Sequence, residues 1–246
     1  MGDGLHTFQV RAVNSYGSKD PTPASYSWTV DTVKPGIVIG APSTSLTGGG
    51  SVTYPVTVTE VNFKAVSFVA SDFTLVKTGT ANGTISLSGS GSSWVITITG
   101  ITGEGTLGIT LKSGSVADLA GNTNATAVVG ATFVVDTVPP VVKIGALSPS
   151  ISFLMPVPTV EFIVTVSDKN LGGATLAASD VGIVSSNGIT ATKTVTQIDA
   201  TQFRVTLSNF SKAGVIRVSV LAGAFTDLAN NSSEAVLSGT SARVTS

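Results

Sequence analysis

The 246-residue chain contains no cysteine, which removes disulfides, thiolate zinc sites and thiol nucleophiles together. It has one histidine, His6, on an alternating segment, where it is expected as a half-exposed strand residue. No Gly-x-Ser-x-Gly elbow, His-Glu-x-x-His pair or Gly-x-x-x-x-Gly-Lys-Ser/Thr loop is present. Aromatic residues make up 6%, and no carboxylate pair sits among the rings that a sugar-cleaving site would want. Charged residues are only 11% and the net charge is -1, so the basic footprint of a nucleic-acid partner is absent. No run approaches the roughly 20 apolar residues of a membrane span, and no membrane insertion is expected in this segment. The opening "MGDGLHTFQV" lacks the basic and apolar regions of a signal peptide. These absences point away from an enzyme.

What the chain has is apolar and β-branched. Apolar residues are 42% of the total, far from a disordered composition. Gly, Ser, Thr and Val dominate, and Val and Thr favour strands. Alternation agrees: Trp94, Ile96 and Ile98 lie on one face of a segment, as do Leu107, Ile109 and Leu111. So do Phe162, Val164 and Val166, and Phe203, Val205 and Leu207. Short period-two segments bounded by Gly, Ser, Asn or Asp indicate an all-β sandwich or barrel.

The chain also repeats itself. "WTVDTVKPGIVIGAPS" (28–43) matches "FVVDTVPPVVKIGALS" (133–148), with Asp31 and Asp136 105 positions apart. "VASDFTLV" (69–76) matches "AASDVGIV" (177–184), and "ADLAGN" (117–122) matches "TDLANN" (226–231). A unit of this length has the size of one immunoglobulin-like sandwich. The opening "GDGLHTFQVRAVNSYGS" aligns with "GEGTLGITLKSGSVADLAGN", so Asn14, Gly17 and Ser18 fall where Asp118, Gly121 and Asn122 fall. The expected division is the last strands of a truncated repeat at 1–33, one domain at 34–138 and another at 139–246. Both ends read as cuts through a longer array. Proline follows each linker aspartate in "DTVKPG" and "DTVPPV"; it ends pairing and stiffens the connection.

The phrases "HTFQVRAVNSYGSKDPTPASYSWTVDTVKP", "FVASDFTL" and "GEGTLGITLKSGSVADLAGN…FVVDTVPP" resemble the bacterial immunoglobulin-like tandem repeats of large extracellular surface proteins and adhesins. The resemblance implies tandem immunoglobulin-like β-sandwich domains arranged end to end, in an extracellular or bacterial cell-surface location. It implies a structural stalk or spacer, part of a multi-repeat adhesin, whose nearest partners are neighbouring repeats of the same chain. The alternatives are a direct adhesion module for a host protein or glycan surface ligand, and an accessory domain of a secreted enzyme.

Three kinds of side chain compete for a chemical role. Some surface domains of this type crosslink Lys to Asn, but Lys64, Lys77, Lys112 and Lys143 sit beside loop-like residues or at a domain start and read as solvated. Trp28 aligns with Phe133, and Trp94 with Phe203, so both are expected in the core rather than stacked on sugar. Leu5, Phe8, Val10 and Ala12 are expected to form an apolar face in the opening unit.

The acidic residues are the third kind. Asp-Leu-Ala-Gly/Asn-Asn, from Asp118 and again from Asp227, is first a tight turn: Asp caps nearby N–H groups, and Gly or Asn accepts a positive φ. In an immunoglobulin sandwich this turn lies at the end where the chain enters, beside the linker and the loop after the second strand. Asp31, Glu60, Asn62, Asp118 and Asn122 are thus expected at one junction, and Asp136, Asp168, Asn170, Asp227 and Asn231 at the next. Hard oxygen donors without His or Cys suit calcium rather than zinc, and the resemblance implies interdomain calcium too. Solvated turns account for the same residues without metal.

Overall fold

A computed structural model describes residues 1–60, 62, 67–147 and 159–244. Among these residues the chain is all-β, with two three-residue 3-10 turns and no longer helix; none is long and apolar enough to cross a membrane.

The opening unit is one antiparallel pair, β1 (Gly4–Val10) with β2 (Ala24–Val30). The second unit begins with β3 (Gly36–Ile39), β4 (Leu46–Thr47), β5 (Val52–Thr59) and β6 (Phe73–Lys77). It continues with β7 (Asn82–Ser90), β8 (Ser93–Thr102), β9 (Gly105–Leu111), β10 (Val128–Val129) and β11 (Phe133–Val135). One sheet runs β3-β5-β8-β7. In the other, β9 pairs with β6, β10 and β11, and β11 takes β4 as a parallel neighbour. This is the immunoglobulin arrangement: a four-stranded sheet faces a sheet built on the last strands, and the first strand is split between the two.

The third unit repeats it. Its strands are β12 (Val141–Leu147), β13 (Thr159–Ser167), β14 (Val181–Ser185), β15 (Thr192–Gln197), β16 (Gln202–Ser208), β17 (Gly214–Val220), β18 (Val236–Leu237) and β19 (Ala242–Val244). One sheet runs β12-β13-β16-β15; in the other, β17 pairs with β14, β18 and β19.

The alternation becomes two separate cores. Val52, Tyr54, Val56, Ile96, Ile98, Leu107, Ile109, Leu111 and Phe133 close over one another in the second unit. Phe162, Val164, Val166, Phe203, Val205, Leu207, Ile216, Val218 and Val220 do so in the third. The buried Tyr54 keeps its hydroxyl satisfied by donating to the Ala131 carbonyl at 2.7 Å.

Two core expectations need correction. Trp94 opposes Val56 as Phe203 opposes Val164, so the alignment holds in register, but Trp94 is only half-buried while Phe203 is 1% exposed. Its indole N–H donates to the Gly91 carbonyl at 3.0 Å, and that partner holds the ring at the margin of the core against Phe68. Trp28 is also half-buried rather than core, stacked between His6 and Tyr26 on the β1–β2 pair. Leu5 does not share a face with Phe8, Val10 and Ala12, because residues an odd number apart on a strand point to opposite sides. The face of Phe8 and Val10 carries His6, Tyr26 and Trp28 instead.

Candidate metal centres at the two linkers

Each candidate centre grows from a tight turn. At 118–122, Asp118 N–H donates to the Asn122 carbonyl at 3.0 Å, and Gly121 sits at φ 91°. The Asp118 carboxylate accepts the Asn122 backbone N–H and side-chain amide, both at 2.8 Å. The turn at 227–231 has the same design. Asp227 accepts the Ala229 N–H, the Asn231 N–H and the Asn231 amide, each at 2.8 Å, and Asn230 takes φ 68°. The opening unit shows it a third time with Asn14 as the cap, accepting the Tyr16 and Ser18 N–H groups, and Gly17 at φ 81°. The phrase is therefore a turn, as its residue types require.

The turn also meets the linker. Asn122 donates its amide to the Asp31 carbonyl at 2.9 Å, and Asn231 donates to the Asp136 carbonyl at 2.8 Å. The loop after β5 arrives from another side: Asn62 donates to Asp31 Oδ2 at 2.6 Å, and Leu119 N–H donates to the Asn62 carbonyl at 3.1 Å. In the third unit Asn170 donates likewise to Asp136 Oδ2, and Leu228 N–H to the Asn170 carbonyl at 3.0 Å. Glu60 Oε1 accepts the Asn62 N–H at 3.3 Å, as Asp168 Oδ1 accepts the Asn170 N–H at 2.7 Å.

All ten sequence-predicted residues fall in these two clusters, five in each. Six carboxylates form two triads: Asp31, Glu60 and Asp118, and Asp136, Asp168 and Asp227, with oxygens of each triad within 4.8 Å of one another. Oxygens bound to one calcium at about 2.4 Å can lie no further apart than about 4.8 Å, so the spacing fits. The donor set is hard oxygen only, which suits calcium over zinc. Asn122 and Asn231 spend both amide protons bracing turn to linker; Asn62 and Asn170 each bring an amide against a linker carboxylate.

The electrostatics favour an ionised Asp118. Burial opposes the charge on Asp118, but the Asn122 amide and the backbone N–H groups of Asn122, Ala120 and Gly121 outweigh it, and its carboxyl is held below the ordinary value. Asp118, Asp136 and Asp227 are 3%, 1% and 5% exposed. Among the described residues no Lys or Arg pairs with Asp136, Asp168 or Asp227; the ion pair of the third unit, Arg204 with Glu161, lies across β13 and β16, away from the triad.

Sequence reasoning missed one element of the junction. The carboxylate of Asp3 accepts the Thr32 N–H at 3.0 Å and hydroxyl at 2.9 Å. Glu104 Oε1 accepts the Thr137 N–H at 2.6 Å and lies 3.1 Å from its hydroxyl. The signal was available: Gly-Asp/Glu-Gly at 2–4 and 103–105 recurs with Asp-Thr-Val at 31–33 and 136–138.

The other candidates stand apart from these clusters where the structure describes them. His6 is half-exposed, its Nε2 2.7 Å from the Gly2 carbonyl. Lys77 donates to Asn82 at 3.3 Å and Lys112 to the Ser71 carbonyl at 2.6 Å. Lys143 lies on β12, and Lys64 lies outside the described residues.

No protein-family model matches the chain, and no curated protein matches it. Solved structures do. Domains 4–9 of the surface layer protein SbsC align at 19% identity and TM-score 0.29, over 99% of this chain and 35% of that one. Domains 5–6 of the S-layer protein SbsC align at 19% identity and TM-score 0.24, over 86% and 99% of the two chains. The titin domains z1z2, solved in complex with telethonin, align at 12% identity and TM-score 0.29, over 88% and 98%. The chain spans 35% of the length of the first. These likenesses are loose, and the immunoglobulin-like assignment stands on the strand pairing.

Proposed function

We propose that this chain is a structural spacer segment of a bacterial cell-surface or secreted protein, and that each of its two junctions is held by calcium. The observation that carries the proposal is the repeated triad. A linker aspartate, an acid from the loop after the second strand and an acid from the late turn meet twice, at Asp31, Glu60 and Asp118 and at Asp136, Asp168 and Asp227. Three carboxylates at such spacing repel one another. A divalent cation removes that repulsion and ties the linker to the unit that follows it. The linkers are short and carry Pro35, Pro139 and Pro140, which suits a spacer whose units keep a fixed direction. A multi-repeat adhesin in an extracellular setting is the context in which such a segment would serve.

Small-angle scattering in calcium and in chelator tests the proposal. The expected result is an extended particle with a narrower distance distribution in calcium. A compact, near-spherical particle in both buffers rules the spacer out.

Direct adhesion has one observation in its favour, the exposed rings of the opening pair: Tyr26 is 70% exposed and Phe8 59%. The register argues for a different use. His6, Phe8, Val10 and Trp28 stand where Leu107, Ile109, Leu111 and Phe133 stand in the second unit, and all four of those are core. The face is one that packs on a sheet.

A further inference from the structure

The two linkers share a device outside the carboxylate triads. In both, a carboxylate just before a strand grips the threonine that follows the linker aspartate. Asp3 precedes β1 and holds Thr32 through its N–H and hydroxyl, at 3.0 and 2.9 Å. Glu104 precedes β9 and holds Thr137 in the same two ways, at 2.6 and 3.1 Å. The register makes them equivalents: Gly4 opposes Val30 as Gly105 opposes Val135. The acid thus lies one residue before the first paired residue of its strand and the threonine two residues after the last paired residue of its own, where the ladder no longer fixes the chain.

We propose that Asp3 and Glu104 are positioning residues that hold the linker threonines and thereby aim the Asp31 and Asp136 carboxylates into their triads. The linker aspartate has a backbone neighbour fixed on each side. The Asp136 N–H donates to the Thr47 carbonyl at 3.0 Å, its carbonyl accepts the Asn231 amide at 2.8 Å, and the next N–H is taken by Glu104. With those three groups held, the direction of the Asp136 Cα–Cβ bond is set. The Val138 N–H donates to Asp136 Oδ1 at 3.2 Å, which leaves Oδ2 facing the triad side, where Asn170 donates to it. At the first linker Val33 N–H and Asn62 treat Asp31 in the same way, at 3.0 and 2.6 Å.

The third unit shows the acid and the ligand departing together. Gly214 opposes Val244, so the residue equivalent to Glu104 is Ala213, and in sequence the residue equivalent to Asp136 is Thr245. Where no linker aspartate needs aiming, the gripping carboxylate is absent too. A grip that served only the strand end would have no reason to follow the ligand.

The purpose of this device rests on the calcium proposal, whereas its geometry does not. The test therefore has two readouts on the full chain, both by NMR: exchange of the Thr137 amide in chelator, and a calcium titration in which the Asn122 and Asn231 amides report their own junctions. Glu104→Ala should expose the Thr137 amide to exchange. It should also weaken calcium at the Asn231 junction by about tenfold or more, as loss of an outer partner does at metal sites, and leave the Asn122 junction unchanged. Glu104→Gln, which keeps an acceptor oxygen, should restore Thr137 protection and most of the affinity. Unchanged Thr137 exchange in Glu104→Ala overturns the grip. Lost protection with parent-like calcium binding at Asn231 overturns its positioning role. A parent that binds no calcium overturns the metal proposal, and the grip then stands or falls on the exchange result.

Discussion

Phe203 and Trp94 occupy the same place in their sandwiches and differ in depth. Phe203 is fully buried beside Val164 and packs on Phe225, with ring centroids 5.6 Å apart. Phe203→Ala should therefore cost about 3–5 kcal/mol through lost burial and the cavity left behind. Trp94→Ala should cost clearly less, since part of its ring already meets water. Chemical denaturation of both variants checks this; equal losses would place Trp94 in the core after all. Sequence alternation named the face of each ring correctly and could not name its depth. Parity follows from the pleat, but depth depends on which polar partner the side chain finds, and the Gly91 carbonyl that holds Trp94 at the margin is not a pattern in the sequence.

At the scale of the element, the paired strands of the two full units were readable as period-two runs, because one face of each sheet is buried and the other is not. The turns were readable as well: Asn14, Asp118 and Asp227 cap identical hairpins, because Asx caps and a positive-φ fourth residue leave a chemical signature. Convergence of the ten candidate residues could be read only by combining repeat spacing with immunoglobulin topology. The Asp3–Thr32 and Glu104–Thr137 pairs escaped, because a residue beyond a strand end has no periodicity to betray its partner. The β1–β2 pair shows what an element lacks without a facing sheet. Its inward-type face, Phe8, Val10 and Tyr26, is exposed, and two strands alone are marginally stable. Backbone amides in residues 1–30 should exchange markedly faster than those in 90–135, measured by hydrogen exchange. Equal protection of the two segments would mean that the pair is covered in solution.

For the whole molecule, stability and direction should reside in different places. Each sandwich has its own core, Val52 through Val135 in one and Val142 through Val244 in the other, so each is expected to fold on its core rather than on calcium. Among the described residues the junctions have no comparable apolar cluster; they are built of carboxylates, amides and backbone groups gathered around Asp31 and Asp136. A cation bound there would act on the folded chain and not on the unfolded one. At a hundredfold excess over the dissociation constant, mass action raises stability by about 2.7 kcal/mol.

The most direct measurement is thermal melting of the full chain in millimolar calcium and in chelator, for the parent and for the Asp31→Asn and Asp118→Asn variants. Those two residues are far apart in sequence yet belong to one triad. A shared site predicts a parent melting temperature raised by calcium, with the part due to the second unit lost equally in both variants. A parent whose melting temperature is indifferent to calcium would contradict the account and leave the Asp-Leu-Ala-Gly-Asn phrase as a turn alone.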